Sequence, residues 1–117
     1  MVEHHAALDA VFRALADPTR RAMLHRLSAR ERSVGELAMP FRMTLAATSK
    51  HVKVLERAGL ISRTVRGRTH VCRLAPDRLA DAHAWLGFYE RFWAERLDAL
   101  ERELRRPEQE PEGEGDE

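Results

Sequence analysis

The apolar residues at the start of the chain repeat at intervals of three and four positions, which is the spacing of one helix face. This pattern predicts a helix over about residues 6–16 whose apolar face consists of Leu8, Val11, Phe12 and Leu15. Asp17 and Pro18 predict the start of a second helix. An aspartate at the N-cap can accept a hydrogen bond from a backbone N–H of the first turn, which has no acceptor within the helix, and a proline in that turn has no N–H that needs an acceptor. We expect that helix to end near Ser28 and to bury Met23, Leu24 and Leu27.

Two further helix starts follow. Ser33 and Glu36 have the spacing of a capping box, in which each side chain accepts a backbone N–H of the other residue, and only a short helix fits before Pro40. Thr44 is the next candidate N-cap, and Gly59 suits the left-handed residue after a helix. The helix between them is predicted to bury Leu45, Thr48, Val52 and Leu55. Two helices around a turn of about five residues are typical of a helix-turn-helix.

The pattern changes after this helix. Residues 60–74 are β-branched and alternating, with Arg66-Gly67-Arg68 in the middle, so they predict a two-stranded hairpin whose register stays open between a two-residue and a three-residue turn. Pro76 and Asp77 then open the longest helical segment. Its apolar stripe predicts one continuous helix that contains Leu79, Ala82, Leu86, Tyr89, Trp93, Leu97, Leu100 and Leu104.

These elements define the predicted fold class, which is mainly α with a small β-hairpin wing: a dimeric winged helix-turn-helix of order α-α-α-α-β-β-α. A chain of 117 residues has room for one domain, predicted over residues 1–106. Residues 107–117 hold six acidic residues and no basic one, and their Glu, Gly and Pro composition predicts a disordered acidic tail.

Charge is distributed unevenly along the chain. The formal net charge is +1, but residues 44–73 hold seven basic residues and one acidic residue, so a polyanion is the expected partner of this segment.

The single cysteine, Cys72, excludes an internal disulfide and a thiolate zinc site. No phosphate-binding glycine loop, nucleophile elbow or paired-histidine motif is present, so an enzyme is not expected. The lack of a membrane span or secretory signal predicts a soluble protein of the cytoplasm, associated with the nucleoid.

The helix after Thr44 is the predicted reader of double-stranded DNA. If Thr48, Val52 and Leu55 are buried, small and basic residues occupy its outer face and can approach base edges and phosphates. Arginines around a glycine at a hairpin tip can clamp phosphates or enter a minor groove. The candidate DNA-binding residues are Thr44, Ala46, Ala47, Ser49, Lys50, His51, Lys53, Arg66 and Arg68. A solvated helix face and an exposed basic turn are the alternative interpretations, and His51 can also simply cover the edge of the core.

Four segments in this order, FRALADPTRRAMLHRLS, SVGELA, MTLAATSKHVKVLERAGLI and GRTHVCRL, resemble the ArsR-type winged-helix regulators over about residues 8–104. The resemblance implies a homodimer formed by the first and last helices, a recognition helix over residues 45–58, and repression relieved by a ligand or a metal. The aromatic tract of the last helix looks like a subgroup without a known metal-binding motif.

The chain departs from the metal-sensing members of that family. Their thiolate motif lies on the third helix, where this chain has no cysteine. A second metal site of the family uses an Asp-x-His pair on the last helix, and Asp81 and His83 match this first half of the site. Its other half is at best Glu95 and Asp98, which lack histidine, so the set would bind zinc weakly. We therefore predict no metal and no cofactor. A metal-responsive repressor and a winged-helix module for protein contacts remain the alternative functions.

Five of the seven aromatic residues lie within nine positions of the last helical segment and cover more than one face. A domain this small cannot bury them all, and aromatic residues are enriched in interface cores, so a homodimer interface is expected there. The candidate dimerisation residues are Leu8, Phe12, Trp85, Phe88, Tyr89, Phe92, Trp93 and Leu97. An aromatic pocket for an unidentified small-molecule effector is the alternative interpretation.

Overall fold

The computed structural model describes residues 2–107, with side chains from residue 5 onward. The first two helices are α1 (Val2–Leu15), which starts earlier than predicted, and α2 (Pro18–Ala29). Asp17 caps α2 as expected, because its Oδ1 accepts hydrogen bonds from the amides of Thr19 at 2.8 Å and Arg20 at 3.1 Å. The predicted acidic tail, apart from its first residue, lies outside the described part of the chain, because it comprises residues 107–117.

Helices α3 (Val34–Ala38) and α4 (Leu45–Arg57) form the helix-turn-helix. The capping box at the start of α3 is confirmed: Glu36 N donates to Ser33 Oγ at 3.1 Å, and Ser33 N donates to Glu36 Oε1 at 2.8 Å. A 3₁₀ turn, Met39–Phe41, extends α3, and the left-handed backbone of Arg42 (φ 54°) then redirects the chain toward α4. Gly59 follows α4 with φ 79°, as its position after the helix predicted.

The wing is a three-stranded antiparallel sheet rather than a two-stranded hairpin. Strands β2 (Ile61–Arg66) and β3 (Thr69–Leu74) form the predicted hairpin, and the pairing of Arg66 with Thr69 shows a two-residue turn. Strand β1 (Arg32–Ser33) adds to the free edge of β3, so the strand order is β1-β3-β2. The sequence prediction missed β1, because two residues are too few to show an alternating pattern.

The predicted long final helix is wrong, because two helices occupy that segment. Helix α5 (Asp77–Gly87) and helix α6 (Arg91–Arg105) are separated by a turn over residues 88–90. The amides of these three residues donate to carbonyls three residues earlier, at distances of 3.2, 2.9 and 3.0 Å, instead of continuing the α-helical ladder. Gly87 weakens the helix at this point, since glycine costs about 1 kcal/mol relative to alanine in a helix interior.

The described residues divide into two compact units, residues 2–84 and 85–107. The core of the first unit is formed by all of its helices and by the sheet, and its fully buried side chains include Val11, Met23, Leu37, Thr48, Val52, Leu55, Leu60 and Cys72. The predicted burial of Leu45 is wrong: this side chain is 61% exposed, because it occupies the first helical position of α4, one turn before the face that packs on the core. No helix in the described part of the chain is long and apolar enough to cross a membrane.

Candidate nucleic-acid interface

Helix α4 turns its buried stripe to the core and its small and basic residues outward. Thr48, the buried polar residue of the stripe, satisfies its hydroxyl by donating to Thr44 O at 2.9 Å. The Thr44 side chain caps the helix, since its Oγ1 accepts from Ala47 N at 3.0 Å. On the outside, Thr44, Ala46, Lys50 and Lys53 are exposed, and Ala47, Ser49 and His51 are half-buried.

His51 lies against α2. Its Nδ1 is 3.3 Å from Nη1 of Arg20, and because a guanidinium only donates, His51 Nδ1 must accept in this contact. Arg20 is itself fixed by the carbonyls of Ala14 at 2.8 Å and Arg13 at 3.1 Å. The guanidinium also lies 3.8 Å from Asp17, whose pKa is held below its ordinary value mainly by the backbone hydrogen bond from Arg20. This chain of contacts joins the middle of α4 to the start of α2.

A second connection joins α4 to the wing. Glu56 on α4 and Arg63 on β2 form an ion pair of 2.8 Å in which both side chains are largely covered. The charge of Arg63 is therefore matched within the protein. This pair links the sheet to the helix, and it removes Arg63 from the set of uncompensated cations near α4.

Glu31, in the loop before β1, binds two arginines of the wing. Its Oε2 lies 3.2 Å from Arg66 Nη1 and its Oε1 lies 3.1 Å from Arg73 Nη2. Arg73 also donates to Thr64 Oγ1 at 3.3 Å, so the network crosses from the loop before β1 to both strands of the hairpin. The hydrogen bond from Arg73, followed by the charges of both arginines, lowers the pKa of Glu31. Arg66, one of the two predicted wing contacts, is thus paired, and sequence reasoning missed Glu31.

Arg68, the other predicted wing contact, lies at an open groove between the wing and α4. The groove has a volume of about 330 Å³, and Arg68 shares its wall with Ser33, Leu45, Ser49, Arg63 and His70. Within residues 2–107, Lys50, Lys53 and Arg68 form no ion pair. The structure therefore brings an unmatched wing arginine and the outer face of α4 to one basic surface. Sequence reasoning did not single out Leu45 or His70 as part of it.

Comparison with known proteins agrees with this geometry. A family model described as a helix-turn-helix domain matches residues 15–64. The HTH-type transcriptional regulator Rv2034 of Mycobacterium tuberculosis is 39% identical over 89 residues, which cover 76% of this chain and 80% of that protein. The crystal structure of an ArsR family transcriptional regulator, 41% identical, matches with a TM-score of 0.70 over 75% of this chain and 97% of its own. The chain belongs to the ArsR family.

The family likeness inferred from the four sequence segments is therefore confirmed, and so is the winged helix-turn-helix fold. The transcriptional repressor SdpR of Bacillus subtilis, another relative, is 30% identical over 79 residues, which cover 68% of this chain and 88% of that protein. As an ArsR family member, the chain is a DNA-binding transcriptional regulator and not an enzyme.

The residues that the sequence analysis weighed as metal ligands have other surroundings in this ArsR family member. In the described part of the chain, no three or more histidine, cysteine or acidic side chains lie close enough to hold a metal ion. Asp81, the first residue of the Asp-x-His echo, accepts a hydrogen bond from Arg78 at 2.9 Å. Cys72 is buried, and burial raises the pKa of its thiol, so it is not a reactive thiolate.

The second unit of this ArsR family member carries most of the predicted dimerisation residues. Tyr89 contacts Trp85 and Phe88 with ring centroids 5.1 and 4.9 Å apart, and the Arg91 guanidinium lies 4.8 Å from the ring of Phe92. The aromatic side chains of this cluster are all exposed to a substantial degree, Phe88 by 65% and Phe92 by 64%. Leu8, in contrast, is buried in the core of the first unit, and Phe12 packs against that core.

Proposed function

We propose that this ArsR family member is a repressor that binds, as a homodimer, an operator composed of two inverted half-sites. The observation that carries the proposal is the set of unmatched cations, Lys50, Lys53 and Arg68, beside the small residues of α4, while Arg63 and Arg73 are paired within the protein. The proposed DNA contacts are Thr44, Ala46, Ala47, Ser49, Lys50, His51, Lys53, Arg66 and Arg68.

The contacts divide into two kinds. Ser49 and Lys50 can donate hydrogen bonds to base edges in the major groove, and the methyl groups of the α4 alanines suit thymine. Lys53 and Arg68 suit backbone phosphates, which set position and supply most of the salt-dependent affinity. Because the side chains facing the bases are small and few, we expect modest direct readout and a large phosphate contribution.

Two copies are needed to read an inverted repeat. The proposed interface contains Phe88, Phe92, Trp93 and Leu97, whose exposure in a single chain supports burial against a second copy. Two recognition helices related by a two-fold axis would read half-sites about 10 base pairs apart, or a small multiple of that spacing. Repression is supported by the relative that is named a transcriptional repressor, SdpR.

The test is a fluorescence-anisotropy titration of the protein's own promoter DNA at several salt concentrations. We expect a steep negative slope of log affinity against log salt. Lys50→Ala and Arg68→Ala should each make the slope shallower by about 0.9 for every phosphate that a protomer no longer neutralises. The matched control is Arg105→Ala, which removes an exposed arginine of α6 that is paired with Glu101.

Two results would contradict the proposal. The first is a flat salt slope for the unmodified protein, which would favour a winged-helix module for protein contacts. The second is an equal effect of Arg105→Ala and Arg68→Ala, which would show that overall charge and not the proposed surface determines binding. Repression is tested separately, because transcription from the bound promoter should rise when the protein is removed.

A further inference from the structure

A second basic surface lies where α2 ends and the helix-turn-helix begins, apart from the groove beside the wing. It is an open cavity of about 420 Å³. Three arginines and one carboxylate provide its polar wall, and two apolar side chains stand at its rim: the lining residues are Arg26, Arg30, Arg32, Glu36, Met39 and Pro40. Guanidinium groups outnumber carboxylates here, so the wall of the cavity carries a net positive charge.

Backbone carbonyls hold the three guanidinium groups in place. Arg26 Nη1 donates to Glu36 O at 2.9 Å, and Arg32 Nε donates to Arg26 O at 3.3 Å. Arg30 Nη1 donates to Glu31 O at 3.0 Å. Each guanidinium carries five N–H donors, and these bonds use one of them in each case. The cavity therefore presents several positioned donors on side chains that are already partly ordered.

The electrostatics of the cavity favour an anion. Arg30 Nη2 lies 3.9 Å from Glu36 Oε2, a long contact between two exposed groups. The pKa of Arg32 is lowered, first by burial and then by the positive charges of Arg30 and Arg26. This means that the three cations crowd one another and that Glu36 compensates them incompletely. A bound anion would relieve that repulsion.

We propose that the cavity formed by Arg26, Arg30 and Arg32 binds an oxyanion, the phosphate or carboxylate group of a ligand that also carries a small apolar group. The planar fork of arginine matches both oxyanions through paired hydrogen bonds. The apolar preference follows from Met39, which is 76% exposed at the rim, and from the neighbouring Pro40. These two side chains offer an apolar surface that a purely inorganic ion would leave uncovered.

Occupation of the cavity is linked to the start of α3. Glu36 supplies the carboxylate of the cavity wall, and its other oxygen closes the capping box with Ser33 N at 2.8 Å. A ligand that pairs with Arg30 in place of Glu36 changes the charge around that cap. Because α3 is the first helix of the helix-turn-helix, this change occurs within the DNA-binding unit. Regulation of DNA binding through this contact rests on the proposed function, whereas binding of the oxyanion does not.

The first experiment uses the full-length protein without DNA. Inorganic phosphate and phenyl phosphate are titrated at constant ionic strength and followed by NMR chemical shifts and calorimetry. We expect saturable binding of one ligand per chain, with phenyl phosphate about threefold or more tighter, a factor that one partly buried ring can supply. Arg30→Gln and Arg32→Gln should each weaken binding about tenfold, as expected for loss of a charge-assisted hydrogen bond.

The control for that titration is Arg105→Gln, on an arginine of α6 that is remote in sequence and ion-paired with Glu101. Its titration should match the unmodified protein. Equal weakening by Arg30→Gln and Arg105→Gln, or shifts that never saturate, would overturn the proposal. Arg30 is exposed, so its substitution should leave the folded spectrum intact, which the dispersion of the same NMR spectra verifies.

A second experiment distinguishes a free small molecule from a DNA phosphate as the source of the oxyanion. DNA affinity is measured for the unmodified protein and for Arg30→Gln, without phosphate and with phenyl phosphate at the same ionic strength. If DNA supplies the group, Arg30→Gln weakens DNA binding and phenyl phosphate competes with DNA. If a small molecule supplies it, Arg30→Gln binds DNA normally and phenyl phosphate changes DNA affinity only in the unmodified protein. The first experiment measures phosphate binding without DNA, so it tests the oxyanion site even if the protein fails to bind DNA.

Discussion

Glu31 Oε2 lies 3.2 Å from Arg66 Nη1, so the guanidinium of this proposed DNA contact already has an acidic partner within the protein. Both side chains are exposed, and their residues are 35 positions apart in the chain. The same carboxylate holds Arg73 through its other oxygen, at 3.1 Å. If Arg66 contacts DNA, it must first leave Glu31, and the ion pair then competes with the phosphate.

The first prediction is that Glu31→Gln strengthens DNA binding. An exposed ion pair contributes little, so we expect a gain of at most about fivefold and a steeper salt slope. On an Arg66→Ala background the same substitution should have no effect, because the competition has been removed. Glu103→Gln is the matched control, since Glu103 is also paired with an arginine at 3.1 Å, on α6. An equal gain from Glu31→Gln with and without Arg66 would contradict the competition.

The second prediction concerns two leucines of α4 with opposite environments. Leu55 is fully buried, so Leu55→Ala should lower the free energy of unfolding by about 2–5 kcal/mol, through lost burial and the cavity left behind. Leu45 is exposed, so Leu45→Ala should change it by no more than about 0.5 kcal/mol. Urea unfolding followed by circular dichroism measures both values. Equal destabilisation by the two substitutions would show that the face of α4 has been assigned incorrectly.

The third prediction is an acid-sensitive contribution from Asp17. Its pKa is lowered in the folded chain, so its stabilising effect is present above its ordinary pKa of 3.8 and disappears as the pH falls through the lower folded value. Replacement of this N-cap in Asp17→Ala should cost about 1 kcal/mol at pH 7. The difference between the two proteins should shrink as the pH falls below 3.8 and through the lower folded pKa, because the carboxyl is then protonated in both states. Asp9→Ala, on an exposed aspartate of α1, is the control and should differ little in stability from the unmodified protein at pH 7.

The features that the sequence predicted correctly depend on residues close together in the chain. Asp17 caps its helix through amides two and three residues away, and Ser33 and Glu36 bond each other across three positions. Capping rules describe such contacts without reference to the rest of the fold. The same locality explains why Gly59 was placed correctly after α4.

The features that could not be predicted from the sequence depend on contacts between residues that are far apart in the chain. Glu31 meets Arg73 across 42 positions, which requires β1 to pair with β3. Arg66 and Arg68 looked equivalent around a glycine, but the two-residue turn gives the first an acidic partner and the second a place in the groove beside Ser49. The apolar stripe of the last segment continues through the break after Gly87, so periodicity alone could not show that the helix ends there.

The last prediction concerns the second unit. Phe92 is 64% exposed in a single chain and lies under the guanidinium of Arg91 at 4.8 Å, which suits a residue at the centre of an interface. Phe92→Glu should raise the dimer dissociation constant by about thirtyfold or more, because the interface would no longer bury an aromatic ring and would have to desolvate a carboxylate.

Sedimentation velocity over a range of concentrations measures this change, and Met39→Glu is the control, since Met39 is equally apolar and 76% exposed but belongs to the first unit. The unmodified protein and Met39→Glu should sediment as dimers where Phe92→Glu is a monomer. The monomeric variant should also lose affinity for a two-half-site operator much more than for a single half-site, because linkage between the two recognition helices provides the avidity. A dimer that survives Phe92→Glu would locate the interface elsewhere, and a monomeric unmodified protein would contradict the proposed two-fold reading of DNA.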